Sequence, residues 1–200
     1  MTRYRKFIAT VAAGALLAVG GVFGIAGPAN AAVVIGVCTI TVGEPHPSTH
    51  VAGTINAYGR LSCSLGMPNI HLRAQLEKSN GTKWNGNVED WINTSPGDSW
   101  FSNIAIPCIG NNGTYRTNVA IVLHAPPGIN PQYHAKTYTS IWRSTLCGMS
   151  LIGPLSAPTT DSDMAVSVTL TFLDDGTIRE TVPEDLTAVT FSPELLTADQ

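Results

Sequence analysis

The sequence predicts an all-β fold, an antiparallel β-sandwich of Ig-like architecture, and three observations carry that prediction. Beyond the first thirty residues, apolar side chains recur at every second position and the helical period is absent. Turn-forming Gly, Pro, Asn and Asp residues divide the alternating runs into six or seven short segments. Four cysteines, Cys38, Cys63, Cys108 and Cys147, are spread among those segments without any closely spaced pair.

In chain order, the first strand is expected over Val33–Val42. Over His50–Cys63, Val51, Ile55, Ala57, Leu61 and Cys63 share one parity, while Asn56, Arg60 and Ser62 take the other. The next run is cleaner. Ile70, Leu72, Ala74 and Leu76 point one way, and His71, Arg73, Gln75 and Glu77 the other. It stops at Ser79-Asn80-Gly81-Thr82, a hairpin turn because Asn and Gly both accept positive φ. Further strands are expected over Trp100–Cys108, Thr114–His124 and Tyr138–Cys147. In the last quarter Val166, Val168, Leu170 and Phe172 alternate, Asp174-Asp175-Gly176-Thr177 turns the chain, and Ile178 and Val182 continue it. This hairpin, over residues 164–182, would be marginal alone. It either joins the core sheet or waits for a partner. Glu184 onward reads as a frayed acidic end.

The chain begins with Arg3, Arg5 and Lys6, an apolar stretch from Phe7 to Ile25, and the small-residue site Ala29-Asn30-Ala31. That order is a secretory signal, with cleavage expected after Ala31 and a secreted, extracellular product. No later segment is apolar enough to span a membrane. The expected organisation is a signal peptide over 1–31, a disulfide-stabilised domain over 32–147 and an acidic tail over 148–200. Residues 32–147 hold seven basic and five acidic side chains, whereas residues 148–200 hold nine acidic side chains against Arg179. Without clustered Lys and Arg, nucleic acid is excluded as a partner.

In an oxidising compartment four cysteines read as two disulfides, and the absence of C-x₂₋₄-C pairs argues against zinc. Loop-closure entropy favours Cys63–Cys108 with Cys38–Cys147 over Cys38–Cys63 with Cys108–Cys147 by only ~2 kcal/mol. Topology prefers the first. Cys63 to Cys108 would cross between sheets, and Cys38 to Cys147 would tie the first strand to the last.

The elements G-x-I-x-A-x-G-x-L-x-C from Gly53, I-x-L-x-A-x-L-x-x-x-x-G-x-x-W from Ile70, I-P-C at Ile106 and G-T-Y-R-T at Gly113 carry a resemblance. The chain resembles small secreted β-sandwich proteins of high-GC Gram-positive bacteria, mostly hypothetical secreted proteins. The matching positions are Cys63, Leu76, Gly81, Trp84, Cys108 and Tyr115. They imply the fold and export, and no activity.

No catalytic constellation is visible. There is no G-x-S-x-G elbow, and Glu89, Asp90 and Asp98 sit on a loop without an opposed partner. Glu44, His46 and His50 share a segment broken by Pro45 and Pro47, which reads as a solvated loop. His71 and His124 lie on polar parities. Asn80, Asn93 and Asn112 read as turn residues. No enzyme, metal or other cofactor is expected. The function expected is an extracellular binding or structural module, whose partner is an extracellular protein or a cell-surface glycan. One alternative is a protease inhibitor presenting the loop Pro126–Gln132. Another is a carbohydrate-binding module using Trp84 and Trp91, since an indole face packs against sugar C–H groups. Trp100 shares the parity of Ile104, Ile106 and Cys108 and reads as core.

Overall fold

The computed structural model describes residues 32–48, 51–108, 110–145 and 165–190. The expected signal peptide, 1–31, lies outside the described residues, as do His50 and Cys147. The strands are β1 (Val34–Gly43), β2 (His46–Pro47), β3 (Thr54–Cys63), β4 (Asn69–Lys78), β5 (Lys83–Asn85), β6 (Glu89–Ile92) and β7 (Ser99–Pro107). They continue with β8 (Gly113–His124), β9 (Tyr133–Ser140), β10 (Arg143–Thr145), β11 (Ala165–Leu173), β12 (Ile178–Thr181) and β13 (Leu186–Thr190). Among the described residues there is no helix.

Two antiparallel sheets face each other. The first runs β12–β11–β1–β3, with β2 following β1 along one edge of β3 and β7 covering the other edge. The second runs β13–β9–β8–β4, with β10 extending the β9 edge of β8, and β5 and β6 sharing the outer edge of β4. Alternation decides which faces meet. Ile40 and Val42 of β1, Ile55, Ala57 and Leu61 of β3, and Val168 and Leu170 of β11 are wholly buried from the first sheet. Ile70, Leu72, Ala74 and Leu76 of β4 and Tyr115, Val119 and Ile121 of β8 meet them from the second. Each Val, Leu or Ile among them contributes about 1.5–3 kcal/mol by leaving water. Val51, expected to share this face, instead lies in a loop and is exposed.

The turn after β4 is the one the sequence promised: Gly81 has φ 89° and Lys78 N donates to Thr82 O at 2.8 Å. Between β5 and β6 the edge of β4 is left open at Ala74. Ser102 Oγ of β7 accepts from Ala74 N at 2.9 Å, and Gly86 N donates to Ala74 O at 2.8 Å. Ser102 in turn donates to Asn87 O at 3.1 Å, so these bonds stitch the two sheets along one seam. A Cβ on Gly86 would stand 2.5 Å from Asn103 O, which is why glycine occupies that point.

Several expectations are corrected. Cys38 is bonded to Cys63, so neither Cys63–Cys108 nor Cys38–Cys147 forms. Both cysteines point inward, as parity required, but they are register partners on adjacent strands of one sheet with Cα atoms 4.0 Å apart. The bridge therefore runs within a sheet instead of between sheets. Cys108 is not free either.

The change of composition at Cys147 is no boundary of the β core. β11 lies between β1 and β12, with Ala165–Leu173 paired along β1, and the 164–182 hairpin thus joins the sheet. Residues beyond Glu184 are not simply frayed: Leu186–Thr190 forms β13 on the edge of β9. The strand expected at Tyr138–Cys147 starts earlier, at Tyr133, and breaks after Ser140.

Candidate functional site

Trp84 and Trp91 are half-buried and face inward. They are the register partners of Leu76 and Ile70, and side chains opposite one another share a face. Trp84 packs on Tyr115, and Trp91 on Trp100, with ring centroids 6.1 Å apart in each case. Both close the flank of the core, each packed on one side against another aromatic ring. The loop Pro126–Gln132 is likewise docked. Ile129 is buried, Asn130 N donates to Gly176 O at 2.6 Å, and Ala125 N donates to Gln132 O at 2.8 Å. An inhibitory loop needs an extended, projecting side chain at its centre, and this one buries it.

Nor is the Glu44 segment a solvated loop. Glu44 and His46 are buried; Arg143 Nε and Nη2 donate to Glu44 Oε2 and Oε1 at 2.7 and 2.8 Å, and His46 Nδ1 lies 2.7 Å from Glu44 O. That fork raises the Arg143 guanidinium above its ordinary value.

The exposed indole is Trp142, which is 42% accessible. Its position comes from a register fault. β9 pairs with β8 as far as Thr139↔Asn118, and β10 resumes at Arg143↔Tyr115. Three residues, Ser140–Trp142, therefore face two, Arg116 and Thr117, which is the count of a β-bulge. Ser140 Oγ accepts from Thr117 N at 2.9 Å, which satisfies that freed N–H, and Thr117 Oγ1 donates inward to Gly43 O at 2.6 Å. Ile141 and Trp142 are left outside. The Arg116 guanidinium lies over the Trp142 ring, 4.5 Å from its centroid, and Arg116 Nε donates to Glu77 Oε2 at 2.9 Å. Burial pushes the Glu77 carboxyl up, but hydrogen bonds from Arg116 and Asn118 and the charges of Arg116 and Lys83 carry it below its ordinary value. Beside Trp142 is a depression of about 250 Å³, completed by Thr139, Glu184, Asp185 and Thr187.

A second cluster lies on the seam between β9 and β12. Here the inward positions of β9 carry His134, Lys136 and Tyr138. Tyr138 Oη donates to Glu180 Oε1 at 2.8 Å, Lys136 Nζ is paired with Glu180 Oε2, and His134 Nε2 lies 2.8 Å from Tyr138 Oη. A phenol has one proton, here given to Glu180, so His134 must donate through Nε2–H. A cavity of about 270 Å³ adjoins the cluster, with Ile178 and Thr190 among its lining. Burial, then the bond and charge of Glu180, raise the Tyr138 phenol strongly. Every one of these polar groups is spent on another, which makes the cluster a tie between sheets.

Burial, opposed by the Glu180 charge and reinforced by that of Lys136, lowers the His134 imidazole below its ordinary value of 6.5. The unfolded chain takes up that proton first. Folding stability is therefore expected to fall as pH drops through 6.5 toward the lower folded value. Tm measured from pH 7 to 5 should decline, and His134→Gln should flatten the slope. His124, lowered by burial and by His71, adds in the same direction, so His124→Gln should flatten it less than the more deeply buried His134. An unchanged slope in both variants would refute the assignment.

On the outer face of the second sheet, His71 Nδ1 is paired with Asp90, and the His71 and His124 rings stand 6.1 Å apart. Among the described residues no group of three His, Cys, Asp or Glu could hold a metal ion.

No protein-family model matches the chain, and a search of curated proteins returns no match.

Proposed function

We propose that this protein is an exported, non-enzymatic binding module, an Ig-like β-sandwich held by two disulfides, which captures an extracellular protein or glycan at the Trp142 depression. One observation carries the reading. Trp100 is buried and Trp84 and Trp91 are half-buried against the core, whereas the bulge after β9 turns Trp142 outward beside a cavity that would take one ligand group. Exposed Trp and Arg at a recess are the residues that dominate binding energy at interfaces. The non-enzymatic reading is supported by the seam cluster, whose ionisable groups are consumed by one another. Tyr115, at the start of β8, donates to Asn111 O four residues upstream, an arrangement akin to the tyrosine corner of Ig-like domains. Export rests on the order of residues 1–31 and on the oxidised Cys38–Cys63 pair.

Binding of the purified protein to arrays of extracellular proteins and glycans tests the function. Trp142→Ala is expected to abolish whatever binding is found, with Tm unchanged within a few degrees. Equal binding by the variant would remove the depression from the reading. Non-reducing peptide mapping is expected to find Cys38–Cys63 and Cys108–Cys147, with Ala32 as the new N-terminus. A thiol at Cys147 would remove the second bridge.

A further inference from the structure

The Trp142 depression has a charge balance that selects its ligand. The arginine that lines it, Arg116, and the one that follows Trp142 in the chain, Arg143, are both already paired. Arg116 is held by Glu77, and Arg143 by the two oxygens of Glu44. The turn after β12 brings Glu184 and Asp185 to the same recess, and both are exposed. Neither makes a hydrogen bond or ion pair among the described residues; Asp185 only feels the Arg143 charge at a distance. Glu184 thus stands without a counter-charge beside an indole, and Asp185 has only the Arg143 guanidinium, which Glu44 already holds. We propose that the depression recognises a cation, the ammonium or guanidinium end of a lysine or arginine side chain carried by an extended peptide of a partner protein.

The inference rests on the reading of this depression as the binding site and names its ligand class. Three features of the recess fit a basic side chain. Its volume suits one long side chain and not a drug-sized molecule. The Trp142 ring holds a guanidinium, that of Arg116, over one face, so its electrostatics suit a cation and an incoming one would take the ring's edge or other face. The hydroxyls of Thr139 and Thr187 are acceptors for the remaining N–H donors. A neutral sugar would leave both carboxylates without a counterpart. The extended form of the partner follows from β13. This strand carries Thr187 into the recess, pairs with β9 along one edge, and has no strand on its other edge among the described residues. A peptide laid along that edge would place alternate side chains on the outer face, where the depression opens.

The test follows the Trp142 indole N–H signal by NMR in the purified protein, assigned by its loss in Trp142→Phe. Three probes are titrated: acetyl-Val-Arg-Val-Arg-Val-amide, the same peptide with citrulline in place of arginine, and chitotetraose. The arginine peptide is expected to shift the signal. The citrulline peptide should bind roughly tenfold more weakly or less, and the Glu184→Gln/Asp185→Asn double variant should lose about tenfold toward the arginine peptide. Raising ionic strength from 0.05 to 0.5 M should weaken the remaining affinity of the unmodified protein. Equal shifts with citrulline overturn the inference while leaving Trp142 as a binding residue. A shift with chitotetraose alone overturns it in favour of a glycan module. A signal that no probe moves removes the cation reading, and the array comparison with Trp142→Ala then decides separately whether the depression binds anything.

Discussion

Deleting residues 148–200 is expected to abolish the cooperative unfolding transition altogether. The acidic composition of that segment suggests a dispensable appendage, yet β11 lies in the middle of the first sheet, bonded along β1 on one side and β12 on the other. Val168, Leu170 and Phe172 are buried to within 1% and Leu186 to within 7%. At about 1.5–3 kcal/mol for each side chain, their loss removes roughly 6–12 kcal/mol. A domain of this kind has about 5–15 kcal/mol in all. The truncation would also bare the edge of β1 over its length, an invitation to aggregate. Calorimetry and near-UV circular dichroism check the result. A truncated chain with a sharp transition near the parent Tm would show that the core closes without β11. The milder Phe172→Ala, costing about 3–5 kcal/mol, should leave a measurable folded state for comparison.

The second large effect is expected at the seam. Glu180→Leu leaves the Tyr138 hydroxyl and the Lys136 ammonium without their shared acceptor, and should cost about 2–4 kcal/mol in urea unfolding. The figure stays below that of a fully buried pair because the side chains of Lys136 and Glu180 keep 24% and 17% of their exposure. Lys136→Met alone should cost less, since Glu180 retains Tyr138 as a donor. In the double variant part of the lost stability should be regained, because no stranded charge remains. A double-mutant cycle is expected to give a coupling of about 1–2 kcal/mol. Strict additivity would mean that the pair is solvated and does not hold the sheets together.

Which features the sequence disclosed follows from how local their causes are. The β4 run was legible because one face is solvated and the other is not, so each residue from Ile70 to Glu77 reports its own side. The β11–β12 hairpin was legible for the same reason, with Asp175-Gly176 marking its turn. β6 and β13 were not, because four or five residues carry too little alternation, and the acidic surroundings of Leu186 masked it. Parity placed Cys38 and Cys63 inward, but only the register between β1 and β3 names the partner, and register is not written in either strand alone. Trp142 carries no sequence signal because its exposure comes from a mismatch in count between β8 and the β9–β10 run. Residue type alone suggests a sugar platform at Trp84 and Trp91, whereas their pairing with Leu76 and Ile70 is what turns them inward. His134, Lys136 and Glu180 meet across more than forty residues of chain, so no spacing rule could have joined them.

The central place of β1 in the first sheet also governs the order of events when the chain folds. Its partner on one side, β3, follows within a few tens of residues, and Cys38 and Cys63 are separated by only 25 positions. Its partner on the other side arrives far later: Thr41 and Ser167, whose hydroxyls meet, are 126 positions apart. A chain emerging from its N-terminus can therefore fix the β1–β3 ribbon and its disulfide early, but the ribbon keeps an unsatisfied flank until residue 173 is free. High contact order of this kind slows folding and makes it a property of the whole chain. The interval between the third strand and the eleventh is when the protein is most exposed to misassociation, and a folding helper would have most to protect during that interval.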